Sequence, residues 1–372
     1  MALIGLALLL PLGLMLVTSL RDPEMSAALP RSAALLRQWD GVGLPDEAVV
    51  ATLVTELTVA ADGQFIGGVA SRLNFERAGM RSLLLRTARA HPGPPFSMAL
   101  PAIDPQWADP AIWQLLRRAS LGATPLYLLR SLDFDVAADG GFVPMPVDQS
   151  VFLALFGRSF AIAITTTALC LLIGYPVAQA IAGMTRRWSQ LALGLVLIPF
   201  WISILVRTTA WFIVLQRDGP ANGFLQWIGV TEAPLQLMFT RFAVLLAMVH
   251  VLLPFLILPL VVVMRRIDPA LLRAAASLGA PKWRRFVSVY LPLTLPGIGA
   301  GALIVFMLAT GFYITPALLG GPGDQMVSAS IADNVNLTLN WGMAAAISLW
   351  LLLGTGLVVS AAALAVPPRR WR

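Results

Sequence analysis

The chain has 372 residues, of which 58% are apolar and 12% are charged. Soluble globular proteins contain about 45–50% apolar and about 25% charged residues, so the composition excludes an ordinary soluble enzyme and indicates a membrane protein with several spans. The formal net charge is +7, and the single cysteine, Cys170, excludes a disulfide framework and a metal site built from cysteines.

Six apolar stretches approach the roughly 20 residues with which a helix crosses the hydrocarbon of a bilayer. The first is interpreted as a retained anchor rather than a cleaved signal peptide, because no Lys or Arg precedes Arg21. The sequence therefore predicts an all-α polytopic membrane protein with six transmembrane helices. In chain order, the predicted spans are Ala2–Leu20, Phe160–Met184, Leu191–Leu215, Phe242–Met264, Leu295–Ile314 and Met343–Val366.

The segment between the first two spans, residues 21–150, is too long to be a plain loop. Apolar residues recur in it at helical spacing, and a period-two stretch, Leu132–Val136, is followed by the turn Asp139–Gly141 and by Phe142-Val143. We predict a compact, mainly helical domain that contains a small β-hairpin and has no catalytic group, since its acids are scattered beside arginines. The predicted helices cover Ala48–Leu57, Met80–Ala88 and Pro110–Ala119.

Arg207 is the charge that interrupts the third span. It lies sixteen residues after Leu191, and about 24 Å along a straight helix with a rise of about 1.5 Å per residue, which places it near the outer interface. An ionisable residue at that depth is a candidate functional residue, and a side chain that extends to the lipid headgroups is the alternative. His250, in the fourth span, is interpreted as a hydrogen-bonding contact between helices rather than a proton relay.

Basic residues are concentrated in three short segments, 185–190, 265–290 and 367–372, which hold eleven Lys and Arg against one acid, Asp268. The rest of the chain holds 15 basic and 18 acidic residues. The positive-inside rule assigns the three segments to the cytoplasm. Both termini are then cytoplasmic, residues 21–150 are extracytoplasmic, and the net charge indicates a membrane-lipid environment rather than a nucleic-acid partner.

The loop 265–290, between the fourth and fifth spans, is the most informative segment. Asp268-Pro269 is a favourable helix start, and the Ala-rich stretch 270–278 favours a helix. Gly279 is suited to end this helix in the left-handed conformation, and Pro281 is suited to begin a second one. The pattern predicts two short helices joined at a glycine.

The second of these helices is expected to end near Tyr290, with Pro292 marking the start of the fifth span. The first helix presents small side chains, and the second presents Trp283 with three neighbouring cations. An aromatic anchor surrounded by polar groups suits docking against another protein. We therefore predict that this loop binds a cytoplasmic partner.

The loop resembles the Glu-Ala-Ala signature of permease subunits of binding-protein-dependent ABC importers. The residues at the required spacing are Ala274, Ala275, Gly279, Leu291 and Pro292, with Val289 in place of Ile and Arg273 in place of Glu. In that family the loop is a coupling helix that inserts into a groove of an ATPase subunit. The resemblance implies that the docking residues are Arg273, Ala274, Ala275, Gly279, Ala280, Pro281, Trp283, Arg284 and Arg285.

Further stretches resemble the spermidine/putrescine type of these permeases, and the resemblance covers about residues 151–372. The matching stretches are 174–178, 199–208, 311–322, 331–333 and 340–346. The resemblance divides the chain into a first transmembrane helix (1–20), an extracytoplasmic insert (21–150) and a five-helix permease core (151–372). It implies an inner-membrane subunit that forms half of a pathway for a small, polyamine-like solute. The implied partners are a second permease subunit, a pair of ABC ATPase subunits and a periplasmic substrate-binding protein.

An amine substrate needs carboxylates and aromatic faces along its path. The candidate pathway residues are Trp201, Arg207, Trp211, Tyr313 and Asp333, although Arg207 would repel a cation and is not assigned as a ligand. The chain has no Gly-x-x-x-x-Gly-Lys-Ser/Thr loop, so ATP and Mg²⁺ are expected to be used by the partner ATPase, and no cofactor is expected on this chain. The alternatives are a secondary transporter and a membrane sensor with a ligand-binding outer domain.

Overall fold

The computed structural model describes residues 2–63, 65–137 and 141–365. The contacts between residues divide the chain into two compact units. The first unit comprises Met1–Phe152 and Asp333–Leu349, and the second comprises Leu153–Ala332 and Trp350–Arg372. The sequence-based division placed all of 151–372 in one core, whereas these contacts place Asp333–Leu349 with the first unit.

Nine helices and one strand pair make up most of the described part of the first unit. They are α1 (Ala2–Leu20), α2 (Glu24–Ala28), α3 (Pro30–Gln38), α4 (Glu47–Asp62), α5 (Ile66–Glu76), α6 (Met80–Ala90), α7 (Phe96–Ile103), a 3-10 turn (Pro105–Ala108), α8 (Pro110–Ser120), α9 (Leu126–Arg130), β1 (Phe134–Val136) and β2 (Phe142–Pro144). The helices predicted at 48–57, 80–88 and 110–119 are confirmed, and each extends beyond its predicted bounds.

The strands β1 and β2 pair antiparallel, with Asp135 opposite Val143. This confirms the hairpin predicted from the period-two pattern at Leu132–Val136. Of the predicted turn Asp139–Gly141, residues 139 and 140 lie outside the described residues. The strands are short and mostly exposed, which is typical of a small surface hairpin.

The helices of the first unit pack around one apolar core. Leu53, Leu73 and Leu84, from α4, α5 and α6, are fully buried, because the apolar residues of each helix recur on one face. Trp107 and Trp113 lie at the centre with their rings 5.2 Å apart. The Trp107 Nε1 donates to Thr87 Oγ1 at 2.8 Å, so the buried indole N–H is satisfied.

A buried ionic cluster lies beside this core. The Arg72 Nε donates to both carboxylate oxygens of Asp22 at 2.9 Å, and its Nη1 donates to Glu76 at 3.1 Å. Burial opposes the charge on Arg72, but the two carboxylates outweigh it and raise the pKa of the guanidinium. A charge at this depth is tolerated only because it is paired.

Glu24 borders a cavity of about 640 Å³ that is lined also by Asn74, Arg81 and Tyr127. One of its carboxylate oxygens, Oε2, is buried and has no hydrogen-bond partner among the described residues. Burial, assisted by the nearby Asp22 carboxylate, raises the pKa of Glu24. Folding therefore shifts this carboxyl toward its neutral form, relative to a carboxyl in water.

The second unit contains the longest helices. The remaining elements of the chain are α10 (Phe152–Gly183), α11 (Arg186–Leu197), a 3-10 turn (Ile198–Trp201), α12 (Ile204–Leu215), α13 (Pro220–Trp227), α14 (Arg241–Arg265), α15 (Pro269–Ser277), α16 (Lys282–Arg285), a π-helical segment (Phe286–Tyr290), α17 (Leu291–Thr310), α18 (Ile314–Leu319), a 3-10 turn (Pro322–Asp324), α19 (Val327–Asn336) and α20 (Trp341–Ala365).

The helices α14 and α17 approach each other closely because glycines lie at their contact. A Cβ built on Gly301 would lie 3.0 Å from Leu256 Cδ1 and 3.1 Å from the Leu256 carbonyl oxygen. Gly297, one turn earlier, meets Val263 in the same way. Small residues four apart let two membrane helices pack backbone to backbone. This contact forms the centre of the second apolar core.

Four helices within the described residues have the length and composition to cross a membrane. They are Phe152–Gly183, Arg241–Arg265, Lys282–Thr310 and Trp341–Leu364. Two bent helix pairs raise this number to six, and one of these pairs, Glu47–Asp62 with Ile66–Glu76, belongs to the first unit. The predicted end of the last span, Val366, lies outside the described residues, as do the basic residues of 367–372.

The third predicted span, Leu191–Leu215, is not one continuous helix but part of a bent helix pair that remains a candidate span. Arg186–Trp201 and Ile204–Trp227 meet at an angle of 94°. Ile202 is extended at the break, and the Ser203 Oγ accepts a bond from the Val206 N–H at 3.3 Å, capping α12. A capping serine four residues after Pro199 was the available signal for a new helix start.

Candidate functional site

The first helix of the coupling loop (residues 265–290) begins as the sequence predicted. Asp268 is extended, and its Oδ1 accepts a hydrogen bond from the Ala270 N–H at 2.8 Å. Pro269 occupies the first helical position, where the missing N–H costs nothing. The cap and the proline together fix where α15 starts.

Gly279 ends α15 in the left-handed conformation, with a φ of +80°. The Ala280 N–H bonds to the Ala275 carbonyl at 3.1 Å, and the Gly279 N–H bonds to the Ala276 carbonyl at 3.0 Å. These two bonds form a Schellman motif, which satisfies carbonyls that the helix end would leave free. The predicted glycine joint is confirmed.

Much of the coupling loop is exposed. None of the residues of α15, α16 or the π-helical segment is buried within the chain. Leu278 is 88% exposed and Trp283 is 68% exposed. Arg273, at the Glu position of the signature, lies on the exposed α15. A large aromatic and a large aliphatic side chain left uncovered beside several cations form a surface suited to a partner protein.

The second helix of the coupling loop continues without a break into the following long helix. Lys282–Thr310 is one apolar helix of 29 residues, so the predicted helix end near Tyr290 is wrong. The fifth span, predicted at Leu295–Ile314, corresponds to this candidate span, which begins earlier and ends at Thr310. The Leu291 N–H bonds to the Phe286 carbonyl, five residues back. This wider π-helical turn makes room for the ring of Pro292, which would clash with a carbonyl in a regular α-helix.

Arg265 and Ser189 connect the end of α14 with the beginning of α11. The Arg265 Nη2 donates a hydrogen bond to the Ser189 Oγ, and Ser189 is fully buried. Arg265 ends α14, and Ser189 lies in the first half of α11. Sequence reasoning missed this contact, because it is formed by residues 76 positions apart and neither belongs to a recognisable motif.

Two of the candidate pathway residues lie together on α12. Arg207 is half-buried, with its Nε buried and without a hydrogen-bond partner among the described residues. One turn later, the Trp211 Nε1 donates to the His250 Nδ1 at 3.1 Å. This bond confirms His250 as a hydrogen-bonding contact between helices. The estimated depth of Arg207 assumed a straight helix from Leu191, and the bend at residues 202–203 makes that estimate wrong.

The other candidates are dispersed. Trp201 is 88% exposed at the break before α12. Tyr313 precedes α18, which meets α12 through hydroxyl groups of Thr208 and Thr315 that are 3.3 Å apart. Asp333 lies in α19 and belongs to the first unit, whereas the other candidates belong to the second.

Asp324 is the other acid near the last two spans, and it is already paired. Its Oδ1 accepts from the Arg241 Nε at 2.9 Å, and its Oδ2 accepts from the Gly321 N–H at 3.2 Å. A cationic substrate would have to displace Arg241 to reach this carboxylate. Among the described residues, no group of three His, Cys, Asp or Glu is placed to hold a metal ion.

Residues 171–371 match the protein family described as "Binding-protein-dependent transport system inner membrane component". The matching stretch contains the coupling loop and every candidate pathway residue. It begins within α10 and does not include the first unit's helices before residue 152.

Several permeases are similar to the same part of the chain. The spermidine/putrescine transport system permease protein PotB of Escherichia coli is 36% identical over 202 residues, which cover 54% of this chain and 74% of that protein. The PotB of Haemophilus influenzae is 33% identical over 243 residues, covering 63% of this chain and 85% of that protein. A solved bacterial ABC transporter for the acidic polysaccharide alginate matches with a TM-score of 0.48 and 19% identity, over 59% of this chain and 80% of that one.

Proposed function

Because the chain belongs to the family of binding-protein-dependent transport system inner membrane components, we propose that it forms one half of the translocation pathway of a type I ABC importer. A second permease subunit, either a homologue or a second copy of this chain, supplies the other half. The identity of 33–36% to PotB proteins over more than half of the chain supports this function.

The coupling loop is the proposed docking surface for a pair of ATPase subunits. The single observation that carries this proposal is its geometry: a capped helix and a Schellman joint that leave Leu278 and Trp283 uncovered. The docking surface comprises Arg273, Ala274, Ala275, Gly279, Ala280, Pro281, Trp283, Arg284 and Arg285. The chain carries no phosphate-binding Gly-Lys-Ser/Thr loop, so ATP and Mg²⁺ are used by the ATPase subunits and the permease itself is not an enzyme.

In the proposed membrane arrangement the chain has six spans, of which α1 is the first. The bent pair Glu47–Asp62 with Ile66–Glu76 is not one of them, since both termini are in the cytoplasm and residues 21–150 lie outside. The excess of basic residues in 185–190 and 265–290 supports this orientation. The third span is the bent pair Arg186–Trp201 and Ile204–Trp227. Irregular backbone is tolerated at membrane depth where it is buried in protein or lines a cavity, so the break supports a pathway role for Trp201, Arg207 and Trp211.

The proposed cargo is a small, polyamine-like solute that a periplasmic binding protein delivers to the outer face. The names of the PotB relatives support this substrate class. Tyr313 and Asp333 are the proposed aromatic and carboxylate contacts nearest the last two spans. Titrating the cognate periplasmic protein with spermidine, putrescine and neutral sugars tests the proposal: tight binding of a sugar, with no binding of either amine, contradicts it.

Co-purification tests the docking surface. The full chain is expected to retain the ATPase subunits, and deletion of residues 270–285 is expected to abolish retention without preventing membrane insertion. The control replaces Arg186 and Arg187 with Gln, which removes charge from the same membrane face outside the coupling loop. Normal ATPase retention after the deletion contradicts the assignment.

A reconstitution experiment separates the importer from its alternatives. Vesicles that contain this chain without ATPase subunits are expected to show no solute uptake with or without a gradient. Uptake by the isolated chain would identify a secondary transporter instead.

A further inference from the structure

A cavity of about 550 Å³ lies at the cytoplasmic ends of the helices of the second unit. It is bounded by the end of α10, the end of α14, α15 and the first turns of the helix Lys282–Thr310. Its volume falls within the roughly 300–1,000 Å³ of sites that hold small molecules. Neither the family match nor the signature of the coupling loop assigns a ligand to it.

Three cations line this cavity: Arg265, Lys282 and Arg285. Within the described residues, no carboxylate lines it. Asp268, the single acid of the segment 265–290, caps α15 through the Ala270 N–H instead. Three positive side chains that converge on one space without a counter-charge create a site for an anion.

The guanidinium of Arg285 independently indicates that the cavity holds a hydrogen-bond acceptor. Its Nε is buried and has no hydrogen-bond acceptor among the described residues. A guanidinium N–H that is removed from water without an acceptor is unfavourable, and few such groups persist in folded proteins. Arg265 differs, because it already donates to Ser189. A ligand with acceptor oxygens in the cavity would satisfy the Arg285 Nε.

The rest of the lining is apolar and aromatic. Phe286 and Tyr290 contribute rings that stack 6.0 Å apart, and Met264 and Leu272 contribute aliphatic surface. A free phosphate ion gains nothing from contact with this apolar surface. A phospholipid can contact both the cations and the apolar lining. Its phosphate pairs with the cations, and its glycerol and first acyl carbons lie against the apolar side chains.

We propose that this cavity binds the headgroup of an anionic phospholipid of the inner leaflet, beneath the coupling loop. The phosphate accepts hydrogen bonds from Arg285 and Lys282, and Arg265 adds positive charge. The lipid thereby holds the beginning of the Lys282–Thr310 helix against the ends of α10 and α14. The inference needs only that this end of the chain meets lipid headgroups, so it stands whether or not the coupling loop binds an ATPase.

Native mass spectrometry of the full chain in detergent tests the site, with phosphatidylglycerol and phosphatidylcholine as the probes. The wild-type chain is expected to retain phosphatidylglycerol at least about tenfold more strongly than phosphatidylcholine. Replacing Arg265, Lys282 and Arg285 together with Gln is expected to remove this preference. The matched control replaces Arg186, Arg187 and Arg266 with Gln, which removes the same charge from the same face outside the cavity and is expected to leave the preference intact.

A single substitution tests the site independently, in case the triple variant does not fold. Arg285→Gln leaves the bond between Arg265 and Ser189 in place, and it is expected to weaken phosphatidylglycerol retention several-fold. Equal retention by the wild type and both cavity variants overturns the proposal, as does equal loss in the matched control. Displacement of the lipid by millimolar inorganic phosphate also overturns it, because the occupant is then a free anion.

Discussion

Single residues set the geometry of the docking surface. Asp268 and Gly279 fix the two ends of α15, one through a side-chain cap and the other through a positive φ. Arg273 replaces the signature's Glu within this helix without disturbing either end. In the proposed docking surface, this replacement puts a positive charge where the signature has a negative one. An ATPase groove with an acidic residue opposite Arg273 is therefore its expected complement.

Substitution of Gly279 tests the joint. A Cβ at this position meets no atom within 4 Å, so any effect arises from the left-handed backbone and not from a clash. Gly279→Val is expected to cost about 1–2 kcal/mol in this conformation and to reduce ATPase-driven uptake by about 5- to 30-fold. Gly279→Asn is the matched control, because asparagine adopts the left-handed conformation readily. Equal uptake by the two variants would show that the joint is not needed.

Glu24 gives a pH-dependent stability prediction for the first unit. Its pKa is raised in the folded state, so the folded chain binds more protons than the unfolded chain between the two pKa values. Stability then falls as the pH rises through that window, and Glu24→Gln removes this loss. The variant is expected to melt at a higher temperature than the wild type at pH 7.5, with the difference shrinking toward pH 4.

Thermal melting in detergent at several pH values measures this difference. The control is Glu232→Gln, which replaces an exposed carboxylate in the second unit. A stabilisation by Glu24→Gln that is the same at every pH would show that burial of the charged carboxylate is not its cause.

At the scale of elements, the sequence predicted what periodicity and capping encode. The helices at 47–62, 80–90 and 110–120 follow from apolar faces and caps, and the hairpin at 134–144 follows from period-two alternation. Two features escaped because composition does not encode them. An apolar run of 25 residues predicts one membrane span, whether or not the helix bends at Ser203. Pro292 predicts a helix break, and the π-helical turn that lets the helix continue cannot be seen in the composition.

The sequence predicted the coupling loop of the candidate site but not the arrangement of the pathway residues. The coupling loop was recovered because its bonds are local, within six residues of one another. The pathway residues were not brought into one place, because their proximity depends on how separate helices pack. Trp211 meets His250 across 39 positions, and no spacing rule contains that contact. The cavity lined by Arg265 and Arg285 was missed for the same reason.

The coupling loop as an element predicts a binding hot spot. Trp283→Ala and Leu278→Ala remove the two large apolar side chains that it leaves exposed. Trp283→Ala is expected to weaken ATPase binding by about 30-fold or more, since a docked tryptophan is commonly worth at least about 2 kcal/mol. Trp227→Ala is the matched control, because Trp227 is 80% exposed in α13, in the segment between α12 and α14. Similar weakening by both tryptophan variants would contradict a specific docking role.

At the scale of the whole molecule, the distribution of charge supports the proposed orientation. The segments 185–190 and 265–290 carry eight basic residues and one acid, whereas six of the seven ion pairs among the described residues lie in the first unit, including Arg72 with Asp22. The two units thus differ in electrostatic character. Uncompensated positive charge belongs on the side of the anionic leaflet.

Cysteine labelling tests this orientation in intact cells. Asp62→Cys, at the end of α4, is expected to react with a membrane-impermeant thiol reagent from outside. Ser277→Cys, on the exposed α15, is expected to react only after the membrane is opened. The native Cys170 is fully buried and is expected to stay unlabelled, which makes the wild type its own control. The opposite labelling pattern would invert the topology.

The unbroken helix Lys282–Thr310 has a mechanical consequence. Its 29 residues, at about 1.5 Å each, make a rod about 43 Å long. When a helix of that length moves as one body, a sideways displacement at Trp283 also displaces the far end near Thr310. The size of that displacement depends on where the helix pivots. Gly297 and Gly301, which approach α14 closely, lie near the middle of this helix, so a tilt about that contact displaces its two ends in opposite directions.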